Sequence, residues 1–517
     1  MPSDRPPPDP CHPPPAVTEV PERSEAPAPP AAPASPQPRK ETKNERNRRR
    51  LLEGPLAPAI LRFGGPLVVG MALHTAFNII DLFMISRLDD STAALAALGV
   101  CDMVAAVATI LSNGISTAAV ALISRHLGSN HLTGVRRASW QSMWLVVVLS
   151  LVFGALGLFG SDWIIRDVMQ TRGDAADQAV GYLKILLGGC YSIFLLLQVT
   201  AILRALGHAK TAASLLIGGN ALNIVLNVFF IYGPGPAPEV FAWGPPVAEA
   251  LAIPRLRIEG AAWATLIART VPVLIGLWLL VRRRGGPRFH WVYVRPFWAD
   301  LRQIWRLGWP SSAQLVVRVG AILFVLALLN EAYTTAEDPT TLTAFSICLR
   351  LETMVLFIGM GWGAAASSFV GTSLGAGRPK RAKAAGWMAA GFNFALMLAL
   401  AFVYVRFAEP IISFFDDDPR VLAVGEEYLG LVAYTYALLG VAVVLSQAMT
   451  GAGATLESLL VDAAVLALGV LPAAYLVVQV FELPRQALWQ VVAAGNLAGA
   501  LAYAAYYARG RFLRKTL

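Results

Sequence analysis

The sequence predicts an all-α integral membrane protein, with twelve transmembrane helices in two six-helix bundles related by a pseudo-twofold axis along the membrane normal. Three observations predict it. The 517-residue chain is 56% hydrophobic and only 15% charged, more apolar side chain than water-soluble domains bury. It holds twelve apolar stretches near the ~20 residues a bilayer core requires, at about 60–86, 93–123, 138–160, 180–203, 211–232, 260–281, 306–330, 341–371, 382–405, 424–448, 457–481 and 486–508. The second half also repeats the first. Leu61 to Pro66 (LRFGGP) returns as Trp305 to Pro310 (WRLGWP), 244 residues on; Gly114 and Gly128 return as Gly361 and Gly375, 247 on; Tyr182 and Gly207 return as Tyr428 and Gly453, 246 on. Direct repeats of half-molecules build many secondary transporters.

Taken in order, the first segment contains Pro66 and then His74, Asn78 and Asp81. The second carries Asp102 and ends in the Gly114 to Gly128 motif. The third and fourth add apolar length. The fifth carries Asn220, Asn223 and Asn227, and the sixth Thr265, Arg269 and Pro272. Six segments are an even number, so the seventh enters the membrane in the same direction as the first, and a cavity is expected between parallel repeats. The seventh brings back the proline as Pro310 and adds Arg318. The eighth has Arg350 and Glu352 near its start, where they can pair with each other. Pro472 lies in the eleventh. Each intramembrane proline removes a backbone donor and should bend or locally unwind its helix, which makes Pro66 and Pro310 candidate hinges. Between the segments gather the charges, rather than along one face of each, which excludes a water-soluble helical bundle.

The domain reading follows: residues 1–50, dense in Pro and charge with no apolar run, form a disordered cytoplasmic tail; 51–284 form the first lobe, 285–305 a basic cytoplasmic loop, and 306–517 the second lobe. A net charge of +9 would suggest nucleic acid in a soluble protein. Here the odd-numbered loops hold only eight of the 42 Lys and Arg, while runs such as Arg48 to Arg50, Arg282 to Arg284 and Arg378 to Lys383 sit in the even-numbered loops and the amino-terminal flank. That asymmetry places both termini in the cytoplasm and removes nucleic acid as a partner. The four cysteines have no paired spacing, implying neither disulfides nor zinc. No Walker sequence, metal-spaced His and Cys set, or nucleophile with a base is present, so neither an enzyme nor an ATP-driven pump is expected, and no cofactor.

Ionisable groups at membrane depth cost several kcal/mol unless paired or hydrated. His74, Asn78 and Asp81 are spaced i, i+4, i+7 on one helix face; Asn220, Asn223 and Asn227 follow i, i+3, i+7; Thr265 and Arg269 are one turn apart. Asp81, Asn227 and Thr265 each lie six residues from a loop residue, roughly 9 Å below the outer surface at the helical rise. The equivalent positions of the second half, Val325, Gly469 and Ala473, are apolar, so the polar level is an asymmetry laid on a symmetric scaffold. Burial favours the neutral form of Asp81 and a neighbouring Arg269 the charged one. Either allows a proton or cation switch. Asp102 and Arg318 are intramembrane charges with no partner evident from spacing. Gly114 and Gly361 suit close helix packing.

At these residues the chain resembles the multidrug and toxic compound extrusion (MATE) family. The resemblance covers about 55–508 and rests on Gly65-Pro66 followed by Asn78-Ile79-Ile80-Asp81, on Tyr182 with Arg204-Ala205-Leu206-Gly207, on Asn223 to Asn227, on Gly260 to Thr265, and on Phe369-Val370-Gly371 through Leu374 to Arg378. It implies alternating access and export of amphipathic small molecules in exchange for protons or sodium ions, by a monomer in lipid at the bacterial inner membrane. Details favour the DinF-like branch, with an ion-responsive site around an acid of the first helix, here Asp81, assisted by Asn223 and Thr265. In three places the chain departs from that pattern: Asn227 stands where well-known members have an acid, Arg269 follows the sixth-helix threonine, and His74 replaces a glutamine. These changes take the site from about −2 to about 0, which disfavours sodium and leaves proton coupling through Asp81, with His74, as the expectation. Asn78, Asn220, Arg269 and Arg318 are then candidates for the cargo cavity. Because Arg318 occupies a position where another branch has an acid, a cation site in the second lobe is not expected. A lipid-linked precursor flippase, its phosphate met by Arg269 and Arg318, is the competing reading.

Overall fold

The computed structural model describes residues 48–49, 51–88, 91–282, 291–335 and 338–515. The tail expected over 1–50 lies, apart from Arg48 and Arg49, outside these residues. Among the described residues, twelve helices are long and apolar enough to cross a membrane. They are α1 (Leu56–Ser86), α2 (Ser91–Gly128), α3 (Leu132–Val168), α4 (Asp174–Ala205), α5 (Ala209–Tyr232), α6 (Arg257–Arg282), α7 (Trp298–Tyr333), α8 (Thr340–Gly375), α9 (Pro379–Arg406), α10 (Pro419–Gly451), α11 (Thr455–Val480) and α12 (Arg485–Arg509). No strand occurs among the described residues.

Each helix runs a few residues past its apolar stretch, because polar first and last turns can be helical at the interface. α3 runs furthest past its stretch, to Val168, and α7 begins at Trp298, within the loop expected over 285–305. Its first turns are amphipathic: Leu301 and Ile304 are buried, and Asp300 pairs with Arg137 of α3. Gln141 of α3 ties down the preceding chain, donating to the carbonyls of Tyr293 (2.9 Å) and Arg295 (2.7 Å) and accepting from the Phe297 amide (3.0 Å).

Pro66, Pro272 and Pro310 are carried inside unbroken α-helix. The expected unwinding is seen at Pro472, where α11 widens into π-helix over Ala463–Val470 and again over Leu476–Val480. A proline takes away a hydrogen bond, and a π turn is one way the freed carbonyls find partners.

Backbone geometry repeats with the sequence. Gly207 and Gly453 both adopt positive φ, +82° and +84°, where the chain leaves α4 and α10. In each case the next amide reaches back five residues to close the helix end, His208 to Leu203 at 2.8 Å and Ala454 to Met449 at 2.9 Å. Left-handed backbone costs a side-chain-bearing residue roughly 1–2 kcal/mol, which explains glycine at both. The turns after α2 and α8 match likewise, with Asn130 at φ +60° and Gly377 at φ +69°.

The two halves meet through glycines, reciprocally. A Cβ on Gly128 would lie 2.1 Å from the Thr372 carbonyl oxygen, and one on Gly375 would lie 2.0 Å from that of Arg125. Arg125 and Thr372 are themselves repeat equivalents, 247 residues apart. In the same way a Cβ on Gly114 would strike Ser312, and one on Gly361 would strike Val68, the equivalent of Ser312. This self-complementary contact is the signature of a twofold axis between α2 and α8. Toward the face that carries Arg48 and Arg378, Arg125 donates to the Ala452 carbonyl (2.9 Å). The segment before α1 bridges both halves there: Arg48 donates to the Leu127 and Gly128 carbonyls, while Arg378 and Arg381 donate to those of Leu52, Leu51 and Gly54. Among the described residues, hydrogen bonds between the halves extend no deeper than Ser312 to Ile110 (3.1 Å), midway along α2. The terminal face is sealed.

Candidate functional site

α1 and α5 pack along their length, and two polar rungs join them at the same register, 146 residues apart. Nearer the middle of the membrane, the His74 ring meets the Asn220 amide at 3.2–3.3 Å. Two turns further along, toward the carboxyl-terminal ends of α1 and α5, Asn227 donates from Nδ2 to Asp81 Oδ1 at 2.7 Å. α5 changes from α to π geometry immediately after Asn227, over Val228–Tyr232, and such widenings are frequent at functional sites.

Asn223, one turn before Asn227, completes the outer rung. One end of its amide faces Asp81, 3.0 Å from Oδ1 and 2.9 Å from Oδ2, and the other faces Thr265 Oγ1 of α6 at 3.2 Å. With nitrogen toward the carboxylate, Asn223 donates to Asp81 and accepts from Thr265. With oxygen toward it, Asn223 donates to Thr265 instead, and the Asp81 contact is favourable only if the carboxyl carries a proton. A hydroxyl serves either role. Asn227 is fully buried, and its Oδ1 has no hydrogen-bond partner among the described residues.

Thus Asp81, Asn223, Asn227 and Thr265 are brought together. His74 is not joined to them: its described partners are Asn220 and the ring of Phe357 in α8, 5.7 Å away, because i, i+7 on a helix is a rise of about 10 Å. Asn78 is exposed and outside this network. Arg269 makes no ion pair with Asp81 among the described residues. No group of three or more His, Cys, Asp or Glu able to hold a metal ion occurs among the described residues.

The second half holds a polar centre that the sequence reading missed. Arg318 of α7 grips Asp462 of α11, Nε to Oδ2 at 2.6 Å and Nη2 to Oδ1 at 3.3 Å. Asp462 also accepts from Gln314 (2.8 Å) and the Tyr503 hydroxyl (2.7 Å), and Ser446 and Ser458 complete the cluster. As in α5, the π stretch of α11 starts one residue after the polar side chain. An unmatched Arg318 was the available signal, since a guanidinium at that depth needs an acid and Asp462 lies inside the eleventh apolar stretch. Glu352 does not pair with Arg350, as their closeness in sequence suggested. It accepts from Tyr428 of α10 at 3.1 Å, because residues two apart on a helix face different ways. Arg318, Asp462, Glu352 and Tyr428 line one cavity of about 150 Å³ inside the second lobe.

The sequence pattern of the MatE family matches residues 66–229 and 322–476, one stretch in each half. The probable multidrug resistance protein YpnP of Bacillus subtilis is 27% identical over 79% of this chain and 86% of its own length. A Shewanella oneidensis protein named FAD transporter is 25% identical over 83% of this chain and 90% of its own. In fold, the chain is similar to a multidrug resistance MATE family transporter of the MOP superfamily solved in an outward-facing conformation, with a TM-score of 0.81 at 23% identity over 92% of this chain and all of that one. With well over half its length matched and both halves represented, the chain belongs to the MatE family of membrane transporters.

Proposed function

We propose that the protein is a secondary antiporter that exports amphipathic small molecules, drugs and xenobiotics among them, in exchange for protons taken up at Asp81. It works by alternating access in a bacterial inner membrane, with both chain ends and the sealed face cytoplasmic. The position of the acid on the first helix fits the DinF-like branch. Relatives named for multidrug resistance and for FAD transport support small-molecule cargo.

The observation that carries proton coupling is the Asn223 amide, which can satisfy Asp81 in either protonation state by exchanging its two ends, with Thr265 following. A carboxylate surrounded by amide donors is stable when ionised; the same group, protonated, needs an acceptor, and the turned amide supplies one. Sodium, by contrast, seeks several anionic oxygens, and Asp81 is the single carboxylate in this contact set. Pro66 and Pro310, at equivalent places in α1 and α7, are the hinges of this scheme. Asn220, Arg269 and Asn78 fall to the cargo side.

The test is uptake of ethidium and of a fluoroquinolone into inverted vesicles. An acid interior should drive accumulation, a sodium gradient alone should not, and Asp81→Asn should abolish the response. Sodium-driven uptake that survives in Asp81→Asn would overturn the assignment.

A further inference from the structure

We infer that the start of α7 carries a binding site for an anionic phospholipid of the leaflet at the sealed face, its phosphate held by Arg302 and Arg306 between tryptophans. The inference needs only the membrane-spanning fold and rests neither on proton coupling nor on the nature of the cargo.

The first turns of α7 have two unlike sides. On one, Leu301, Ile304 and Leu307 are buried. That side is fixed to α3 by Gln141 and by Arg137, which pairs with Asp300 and covers the Phe297 ring at 4.2 Å. On the other, Trp298, Arg302, Trp305 and Trp309 follow the spacing i, i+4, i+7, i+11 and form one stripe. Its three indoles are 80%, 54% and 45% exposed, and Arg302 and the adjoining Arg306 are exposed as well. Among the described residues neither guanidinium forms an ion pair, and no indole N–H of the stripe has an acceptor. Asp300, the only acid between Arg295 and Trp309, is already taken by Arg137. The face is aromatic and positively charged, and all of its donors are free.

Depth selects the occupant. Trp298 precedes residue 306, where the apolar stretch starts, by roughly 12 Å of helix. Trp298 and Arg302 therefore stand among headgroups, and Trp309 at the edge of the hydrocarbon. Indoles are suited to that boundary, and guanidiniums grip a phosphate through paired hydrogen bonds. A phospholipid satisfies both: its phosphate lies between Arg302 and Arg306, its glycerol esters beside the indole N–H groups, and an acyl chain along Trp309 and the exposed Val316. Two cations without an acid favour a headgroup of net negative charge over a zwitterion, whose ammonium they repel. The other half of the repeat shows that a membrane helix does not need such a face. The equivalents of the stripe in and before α1 are Gly54, Pro58, Leu61 and Gly65, and only Arg62 answers Arg306. α1 meets the same boundary with neither the tryptophans nor the second arginine.

The test is to titrate the purified full-length protein with phosphatidylglycerol or with phosphatidylcholine of the same acyl chains, counting retained lipids by native mass spectrometry. One phosphatidylglycerol should be held at least about tenfold more tightly than phosphatidylcholine. Arg302→Gln with Arg306→Gln should lose at least about tenfold in affinity for it. Trp305→Leu, which installs the residue of the first half, should weaken it by a separate route, while Arg62→Gln should leave it unchanged. All of these side chains are exposed, so the helical circular dichroism of each variant should match the parent. The proposal is overturned if the two lipids bind alike, if the double arginine variant or Trp305→Leu binds like the parent, or if Arg62→Gln costs as much, which would leave only a diffuse basic surface. A lipid-free dimer that Trp305→Leu dissociates would assign the face to a second copy and also overturn it. None of these outcomes touches proton uptake at Asp81.

Discussion

Neutralising Asp462 alone should destabilise the protein far more than neutralising it together with Arg318. Asp462→Asn keeps the side chain's shape but removes the charge that holds Arg318 at 2.6 and 3.3 Å. Breaking a buried ion pair by removing one member costs about 3–5 kcal/mol, because the other charge stays buried without compensation. Both residues line a cavity that can admit water, and the Arg318 side chain is 26% exposed, so the lower end, about 3 kcal/mol, applies here. Arg318→Gln should cost a similar amount through the stranded carboxylate. In Arg318→Gln with Asp462→Asn, both charges are gone, and amides can still bond to Gln314 and Tyr503. The double variant should therefore fall short of the sum of the singles by about 2 kcal/mol or more. Unfolding of the purified protein by SDS in mixed micelles, followed by loss of helical circular dichroism, gives the three values. If the two single effects add to within about 0.5 kcal/mol, the pair is not an energetic unit.

Three other expectations follow from the geometry. Gly207→Ala and Gly453→Ala should each cost about 1–2 kcal/mol, nearly equally, since both sit at φ near +83° in the same turn; SDS unfolding reads this, and a cost confined to one of them would contradict the backbone repeat. Gly128→Val should spread the sealed face, because its Cβ would lie 2.1 Å from the Thr372 carbonyl oxygen; spin-label distances between the ends of α2 and α8 should lengthen, and an unchanged distance distribution would refute the seal. Asn227→Asp sets a second carboxylate within 2.7 Å of Asp81 Oδ1. Two acids that close favour a shared cation or proton, so sodium should protect this variant against SDS unfolding while leaving the parent unaffected; absence of any sodium effect would sink the charge argument.

The twelve helices were legible because a membrane segment announces itself locally, in about twenty consecutive apolar residues. The repeat was legible because Gly207 and Gly453 or Gly128 and Gly375 answer to backbone constraints that no other residue meets as cheaply. Asp81, Asn227 and Thr265 could be grouped from depth, each being six residues from a residue read as loop, and Asn223 from its place one turn before Asn227 on the same helix face. What periodicity could not supply was pairing across helices. Arg318 and Asp462 are 144 residues apart, and nothing in the spacing of either points to the other. His74 and Asp81 share a face, yet the partners that distinguish their surroundings, Asn220 and Asn227, come from another helix. Glu352 looked close to Arg350 in sequence while its helix turned it toward Tyr428. The start of α7 was hidden because Trp298 to Ile304 is an interfacial, not an apolar, stretch.

The crossed glycine contacts have a mechanical corollary. Gly128 rests on the carbonyl beside Thr372, and Gly375 on the one beside Arg125, so each tooth of this zipper is meshed by its own duplicate. Neither can lift while the other stays engaged. The contact between α2 and α8 should accordingly behave as a two-position latch, shut or released, with no stable ajar state.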